Sequence, residues 1–318
     1  MPDARHVPVL LEQAVAALDP EADGIYVDAT FGRGGHSRRI LSQLGPRATL
    51  VAIDRDPDAE IAARSWSDAR LRFHRAWFSA LPSVLDAEGI AQVDGVLLDL
   101  GVSSAQIDDP SRGFSLRADG PLDMRMDPSR GESAAAWLAT VSERELRGVI
   151  ADYGEERFAQ QIARALVASR SHEPITRTRQ LAAIVAKAVG ARGRGDWSQD
   201  PATRTFQAIR IFINQELEEL PLALDRIMPR LRVGARLAVI SFHSLEDRIV
   251  KQFMRRHSEP FGGDSQAARL PIATRALPQP PLARVGRAIR ASEQEIAANP
   301  RARSATLRVA ERTDGPLT

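Results

Sequence analysis

GIYVDATFGRGGHSRRILSQL, residues Gly24 to Leu44, decides the fold. A β-rich apolar run ending on an acid (Gly24 to Phe31) passes through GRGGHS into the amphipathic run RRILSQL, which reads as strand, tight turn and helix. Three more apolar runs follow the same plan. TLVAIDRD (Thr49 to Asp56) closes on acids, LRFHRAWF (Leu71 to Phe78) reads as a third strand and VDGVLLDLG (Val93 to Gly101) as a fourth, with helical segments between them. Alternating strands and helices make βαβ units, so the prediction is an α/β fold. It has a parallel sheet with helices on both faces and a ligand crevice at the strands' carboxyl ends.

Beyond Ile107 the pattern changes. Up to Arg204 helix periodicity replaces strand character, in Ser133 to Thr140, Ser142 to Tyr153, Glu156 to Ser169 and Thr178 to Val189. Ser142 and Glu145 have the spacing of a capping box. GARGRGDWSQDP (Gly190 to Pro201) reads as a flexible loop. The long helical pattern from Thr205 to Leu231 then leads to a strand, ARLAVISFHS (Ala235 to Ser244). Residues 107–204 are therefore expected to be an all-helical insertion, a candidate substrate-recognition domain, between α/β parts at 1–106 and 205–318. In the tail, FGGDS and ALPQPPLARVGR read as mobile, followed by a short helix near Ser292 to Ala298 and a last strand, SATLRVAER.

Composition narrows the chemistry. The 318 residues are 43% hydrophobic, enough for a sizeable core, yet no run approaches the roughly 18 apolar residues that a membrane span needs. The start MPDARHVPVLL lacks secretory character, so the cytoplasm is the expected location. There is no cysteine, which excludes disulfides, thiolate-held metals and thiolate nucleophiles. No metal is expected. The net charge is only +2, but residues 248–318 hold 13 basic residues against 6 acids, so this end carries +7 and the rest −5. That is a candidate contact for a polyanion. The competing reading is compositional, since 41 of the 43 basic residues are Arg.

Gly32, Gly34 and Gly35 lie between the first strand and its helix, where missing Cβ atoms can let a ligand approach backbone N–H groups. The spacing D-x-x-x-G-x-G-G-H (Asp28 to His36) departs from the dinucleotide fingerprint, whose third glycine position is Ser37 here. Asp54 ends the second strand about twenty residues on, where a carboxylate can accept both ribose hydroxyls. An adenosine-containing ligand follows, with Phe78 a candidate against the adenine face and Asp99 placed to meet an amino group or a sulfonium. Capping for Asp54 and core packing for Phe78 are the structural alternatives.

These residues resemble the RsmH (MraW) family of S-adenosylmethionine-dependent methyltransferases, which modify cytidine N4 in small-subunit ribosomal RNA. The resemblance runs through HVPVLLEQ (His6 to Gln13), DATFGRGGHS (Asp28 to Ser37), AIDRDP (Ala52 to Pro57), LDLGVSSAQID (Leu98 to Asp108) and RGFSLRADGPLDMRMD (Arg112 to Asp127). It continues through RTFQAIRIFINQEL (Arg204 to Leu217), GARLAVISFHSLEDRIVKQF (Gly234 to Phe253) and NPRARSATLR (Asn299 to Arg308). Ala105 and Thr306 stand where the family usually has Pro and Lys. The resemblance implies a class I methyltransferase fold, Rossmann-like with an inserted helical domain, and S-adenosyl-L-methionine as cofactor. It carries the cofactor contacts onto Gly34, Gly35, His36, Asp54, Phe78, Asp99 and Gln106. It also implies that the insertion helps to recognise RNA, and that the target is the cytidine at conventional position 1402 of 16S rRNA, in the decoding centre.

An exocyclic cytosine amine is a weak nucleophile, so catalysis there must come chiefly from in-line positioning and an acceptor for the departing proton. C5 methylation is disfavoured independently, because its usual route adds a thiolate to the ring. The turn after the fourth strand, Asp99-Leu-Gly-Val-Ser-Ser104, lacks the two prolines common in amino-methyltransferases, which leaves Asp99 and Ser103 as the catalytic candidates. A flipped base needs a platform, for which Trp137 is the candidate, with helical core as its alternative. Asn214 is a candidate for the cytosine edge and His243 for base or phosphate, while Arg255, Arg256, Arg301, Arg303 and Arg308 are candidate phosphate contacts. The expected partner is 16S rRNA within the small subunit or a late assembly particle, with no membrane and a monomer or homodimer. DNA cytosine N4-methylation, or a non-catalytic RNA-binding assembly factor, are the alternatives.

Overall fold

The computed structural model describes residues 8–190, 200–260 and 279–317. Two compact units emerge, one from Met1–Gly101 with Leu217–Thr318 and the other from Val102–Glu216. In the first part of the chain come α1 (Leu11–Leu18), β1 (Ile25–Asp28), α2 (Gly35–Leu41), β2 (Thr49–Asp54), α3 (Pro57–Arg64), β3 (Leu71–Arg75), α4 (Leu81–Ala87) and β4 (Val93–Asp99). The second unit holds α5 (Ser104–Asp108), α6 (Ala134–Thr140), α7 (Glu143–Gly154), α8 (Ala159–Arg170), α9 (Thr178–Val189) and α10 (Thr203–Asn214). The first unit resumes with α11 (Glu216–Ile227), β5 (Leu231–Ser241), α12 (Ser244–Ser258), β6 (Leu282–Arg284), β7 (Ile289–Arg290), α13 (Glu293–Ala298) and β8 (Thr306–Arg312).

One eight-stranded sheet organises the first unit, in the order β3-β2-β1-β4-β5-β8-β6, with β7 also on β8. The pairings from β3 through β5 are parallel, whereas β8 runs antiparallel to β5. Alternation along the strands separates two cores. Val27, Val51, Ile53, Val96, Leu98 and Val239 pack with α4, α11 and α12 on one face. Tyr26, Leu50, Leu97, Ala238, Ile240 and Leu307 pack with α1 and α2 on the other. Burial on both faces is what a parallel sheet requires, and the mostly parallel, Rossmann-like sheet is the one expected from the sequence.

The second unit is all-helical around its own core. Leu146 and Ile150 of α7, Ile162 and Leu166 of α8, Leu181 and Val185 of α9, and Phe206 and Ile209 of α10 are buried together. Ser133 and Ser142 cap α6 and α7, accepting N–H bonds from Ala136 and Glu145.

Three differences from the sequence reading have physical causes. The helical pattern from Thr205 to Leu231 is broken at Gln215, whose φ of 51° closes α10 in the left-handed region before α11 begins. Because α10 packs on α7, the compact helical unit spans Val102–Glu216 and not residues 107–204. The described part of ALPQPPLARVGR contains β6, where a loop was expected, because β8 supplies a ladder partner that local sequence does not reveal. The loop between Gly190 and Pro201 falls largely outside the described residues, and FGGDS wholly so. Among the described residues no helix is long and apolar enough to cross a membrane.

Candidate active site

The carboxyl ends of β1, β2 and β4 carry Asp28, Asp54 and Asp99. Asp28 is buried. Its Oδ2 accepts from Ser37 Oγ at 2.6 Å and its Oδ1 from Thr30 N at 3.2 Å, while burial holds the carboxyl above its ordinary range. Thr30 Oγ1 in turn accepts the Asp99 N–H at 2.6 Å, which ties the ends of β1 and β4 together.

Between them runs the glycine turn. Gly34 has φ of 76°, and a Cβ there would lie 2.4 Å from the Trp66 ring and 2.7 Å from Phe31. A Cβ on Gly35 would meet Pro8 Cγ at 2.2 Å. Glycine is thus required at both positions by close packing of the protein itself, in addition to any approach by a ligand. Asp54 fixes the same turn: its Oδ2 accepts from Gly32 N at 2.7 Å and its Oδ1 from Asp56 N at 2.9 Å. Burial raises the Asp54 carboxyl to about 6 against the opposing pull of these N–H groups. Each oxygen keeps a lone pair for a hydroxyl donor.

His36 and Asp99 form the centre of this edge. His36 is buried, with Nε2 3.2 Å from the Val9 carbonyl and Nδ1 3.5 Å from Asp99 Oδ2. A carbonyl only accepts, so Nε2 faces it as the donor, which leaves Nδ1 as the nitrogen turned toward the Asp99 carboxyl. Burial raises Asp99 to about 6; His36 opposes the rise, and the charges of Asp28 and Glu246 add to it. Asp99 Oδ1 is buried without any hydrogen-bond partner. A buried orphan acceptor fits a cationic or N–H-bearing ligand group. Phe78, half-buried at the start of a tight turn after β3, packs on the core below.

Other candidates are spent on structure. His243 caps α12, its Nδ1 accepting from Glu246 N at 3.4 Å, while Glu246 Oε2 accepts from Phe242 N at 2.8 Å. His243 Nε2 lies 3.2 Å from Glu246 Oε1 but lacks hydrogen-bond geometry. Arg308, expected at a phosphate, is clamped by both oxygens of Asp247 at 2.7 and 2.9 Å. Arg301 is half-buried with its own contacts, whereas Arg303 is exposed.

In the helical unit, Ser103 and Gln106 form a reciprocal cap of α5, with Ser103 Oγ accepting from Gln106 N and Gln106 Oε1 from Ser103 N. Trp137 is not a surface platform: it is 4% exposed, its ring centroid 4.5 Å from that of Phe212. Asn214 is likewise no free reader of base edges. It is buried, donating from Nδ2 to Met124 O and Arg210 O and accepting at Oδ1 from Met126 N. That clamp serves the loop around Met124, which has φ of 63°. Sequence reasoning missed Thr30 as an organiser of the edge; a hydroxyl two residues after a strand-end acid is a weak trace of it.

Residues 3–313 match the model of the MraW methylase family. The chain belongs to this family. It is 61% identical to a protein of Thiobacillus denitrificans named ribosomal RNA small subunit methyltransferase H, over 96% of this chain and 97% of that one. It is 58% identical to a protein of the same name from Neisseria gonorrhoeae, over 98% and 97%. A solved rRNA methylase from Streptococcus thermophilus shows only a faint likeness, with 10% identity and a TM-score of 0.42 over 96% of this chain and 98% of that one. The cofactor is S-adenosylmethionine, which when bound supplies an electrophilic methyl group. Asp54 suits its ribose diol, and the orphan Oδ1 of Asp99 suits its cationic end.

Proposed function

We propose that the protein methylates N4 of a cytidine in 16S rRNA, at conventional position 1402, in the small ribosomal subunit or a late assembly particle within the cytoplasm. The relatives' names support the rRNA substrate. The observation that carries the chemistry is Asp99: a carboxyl near neutrality, with one orphan oxygen and His36 beside the other.

In this reading S-adenosylmethionine, held by Asp54 and the glycine turn, would supply the methyl group that N4 takes up, and N4 loses a proton. Asp99 serves as acceptor for that proton, since a carboxyl with pKa about 6 is largely ionised at pH 7 yet basic enough to take it. His36 holds Asp99 in register. Asp54 and the glycine turn fix the donor's sugar, so that the rate gain comes mainly from alignment. Ser103 keeps a supporting place, as its hydroxyl already caps α5. The helical unit contributes RNA recognition. Small subunits incubated with the protein and labelled methyl donor should gain label on one cytidine N4. Label on C5 or on DNA, or donor binding without transfer, would replace this reading with another.

A further inference from the structure

Charge pairing in the α/β unit is uneven. Among the described residues of that unit, six cations have no acid, carbonyl or ring partner: Lys251, Arg255, Arg256, Arg287, Arg290 and Arg303. Arginines elsewhere in the unit are engaged, for instance Arg39 with Glu12, Arg70 with Asp68, Arg230 with Asp86 and Arg38 over Trp66. The six unengaged cations are all exposed and all fall between residues 251 and 303.

The fold draws their elements together along one edge of the sheet. α12 packs against β6 and β8, joined by Arg308 to Asp247 and by Arg284 to Glu259 at 3.6 Å. Lys251 and Arg255 are four apart on α12, hence on one side of the helix, and Arg256 adjoins them. β6 and β7 both pair with β8, setting Arg284 opposite Ala310 and Arg290 opposite Thr306. Because alternate residues share a face, Arg284, Arg290 and Arg308 lie on the face that meets α12. Arg287 sits in the bend between the two short strands; Arg303, in the turn just before β8, belongs to a segment whose Ala302 and Ala305 pack on the opposite face, and it stands apart from the α12 group. Nearby acids are mostly committed: Asp247 to Arg308, Glu259 to Arg284, Glu311 to Arg236 and Glu295 to the Leu10 N–H, which leaves exposed Glu293 and the exposed Asp225 beside His257.

Helix-dipole complementarity accounts for cations in the last turn of α12. It does not account for Lys251 in mid-helix, nor for Arg287 and Arg290 on the sheet edge. We infer that the α12, β6–β7 edge is a docking surface for the RNA phosphate backbone. Exposed cations spaced along an edge, with no internal ion pair to break, suit a polyanion, and a nucleic-acid backbone that repeats its charge at every nucleotide can meet them without a shaped complementary face. The surface rests on the rRNA reading above, and it anchors the substrate independently of the donor crevice.

The test uses full-length protein and a 16S rRNA transcript, with dissociation constants measured across a KCl series. The triple variant K251Q/R255Q/R256Q should flatten the log–log salt slope by about 2, at about 0.7 per lost contact on single strands, and R287Q/R290Q by about 1.4. R47Q, an exposed control whose arginine pairs with Asp23, should leave the slope unchanged. S-adenosylmethionine affinity by calorimetry should be the same in all variants. Unchanged slopes in the two basic-edge variants, while the wild type binds and methylates RNA, would overturn the surface and leave the function standing. A wild type that neither binds nor methylates RNA would overturn both. Tighter binding to phosphatidylserine vesicles than to RNA would overturn the surface in favour of a lipid.

Discussion

The strand ends of the α/β unit and the core of the helical unit both carry residues that look chemical in sequence, and they use them in opposite ways. At the strand ends, polar capacity is left over. Asp99 keeps a buried oxygen without a partner, Asp54 keeps lone pairs, and both carboxyls sit near 6. At the two candidates of the helical unit the capacity is consumed: Asn214 bonds three backbone groups, and Trp137 is stacked on Phe212. Burial alone does not separate function from architecture. Unmet hydrogen-bond demand distinguishes Asp99 from Asn214. His243 Nε2 and Thr205 Oγ1 are buried without hydrogen-bond partners as well, so the criterion marks a site only together with the neighbouring strand-end acids and glycine turn.

The contrast can be broken most forcefully at Trp137. Trp137→Ala should cost about 3–5 kcal/mol of stability in chemical denaturation, while Trp137→Phe recovers most of it and keeps RNA affinity. If Trp137→Phe instead folds normally and loses RNA binding, the tryptophan belongs with the functional residues after all. Next in size, Asp99→Asn should lower methyl transfer by about 10²–10³-fold at saturating S-adenosylmethionine, because an amide takes no proton, and it should also weaken donor binding, because the charge facing the donor's cationic end is lost. A loss below tenfold in single-turnover assays would remove Asp99 as acceptor. Asp54→Asn should weaken the donor about tenfold by calorimetry, since an amide offers one acceptor where the turn and a diol need two; unchanged affinity would assign Asp54 to the turn alone.

The smallest effect sharpens the comparison through pH. Asp99 is raised from 3.8 to about 6, so the folded state binds its proton more tightly than the unfolded chain does. Stability from this group is therefore greatest below pH 4, falls as pH rises from about 4 to 6, and is level above. Asp99→Asn removes that decline, and its melting temperature should exceed the wild type's by a few degrees at pH 7.5 and converge with it near pH 4. Parallel melting curves across that range would show that the carboxyl is not strained by burial.

Much of this was legible from residue order. The four strand-end positions, the glycine turn and the strand-end acids all follow from short-range patterns, and their placement at one sheet edge follows from βαβ topology. The break at Gln215 was not legible, because nothing local distinguishes a helix that continues from one that turns when the next turn joins a different core. Nor were the duties of Trp137 and Asn214, as AAAWLA and IRIFINQEL fit a platform and a clamp equally well. Arg308 and Arg303 read alike five residues apart, yet one is locked to Asp247 and the other is open.

Sequence alone determined the chemistry available to this protein: no thiolate, a run of acids closing short β-rich segments, and a basic end. Tertiary structure alone decided which of those groups remain unspent. Whether a side chain has a partner depends on residues tens to hundreds of positions away, as with His36 and Asp99 or Asp247 and Arg308, and only folding brings such pairs within hydrogen-bonding range.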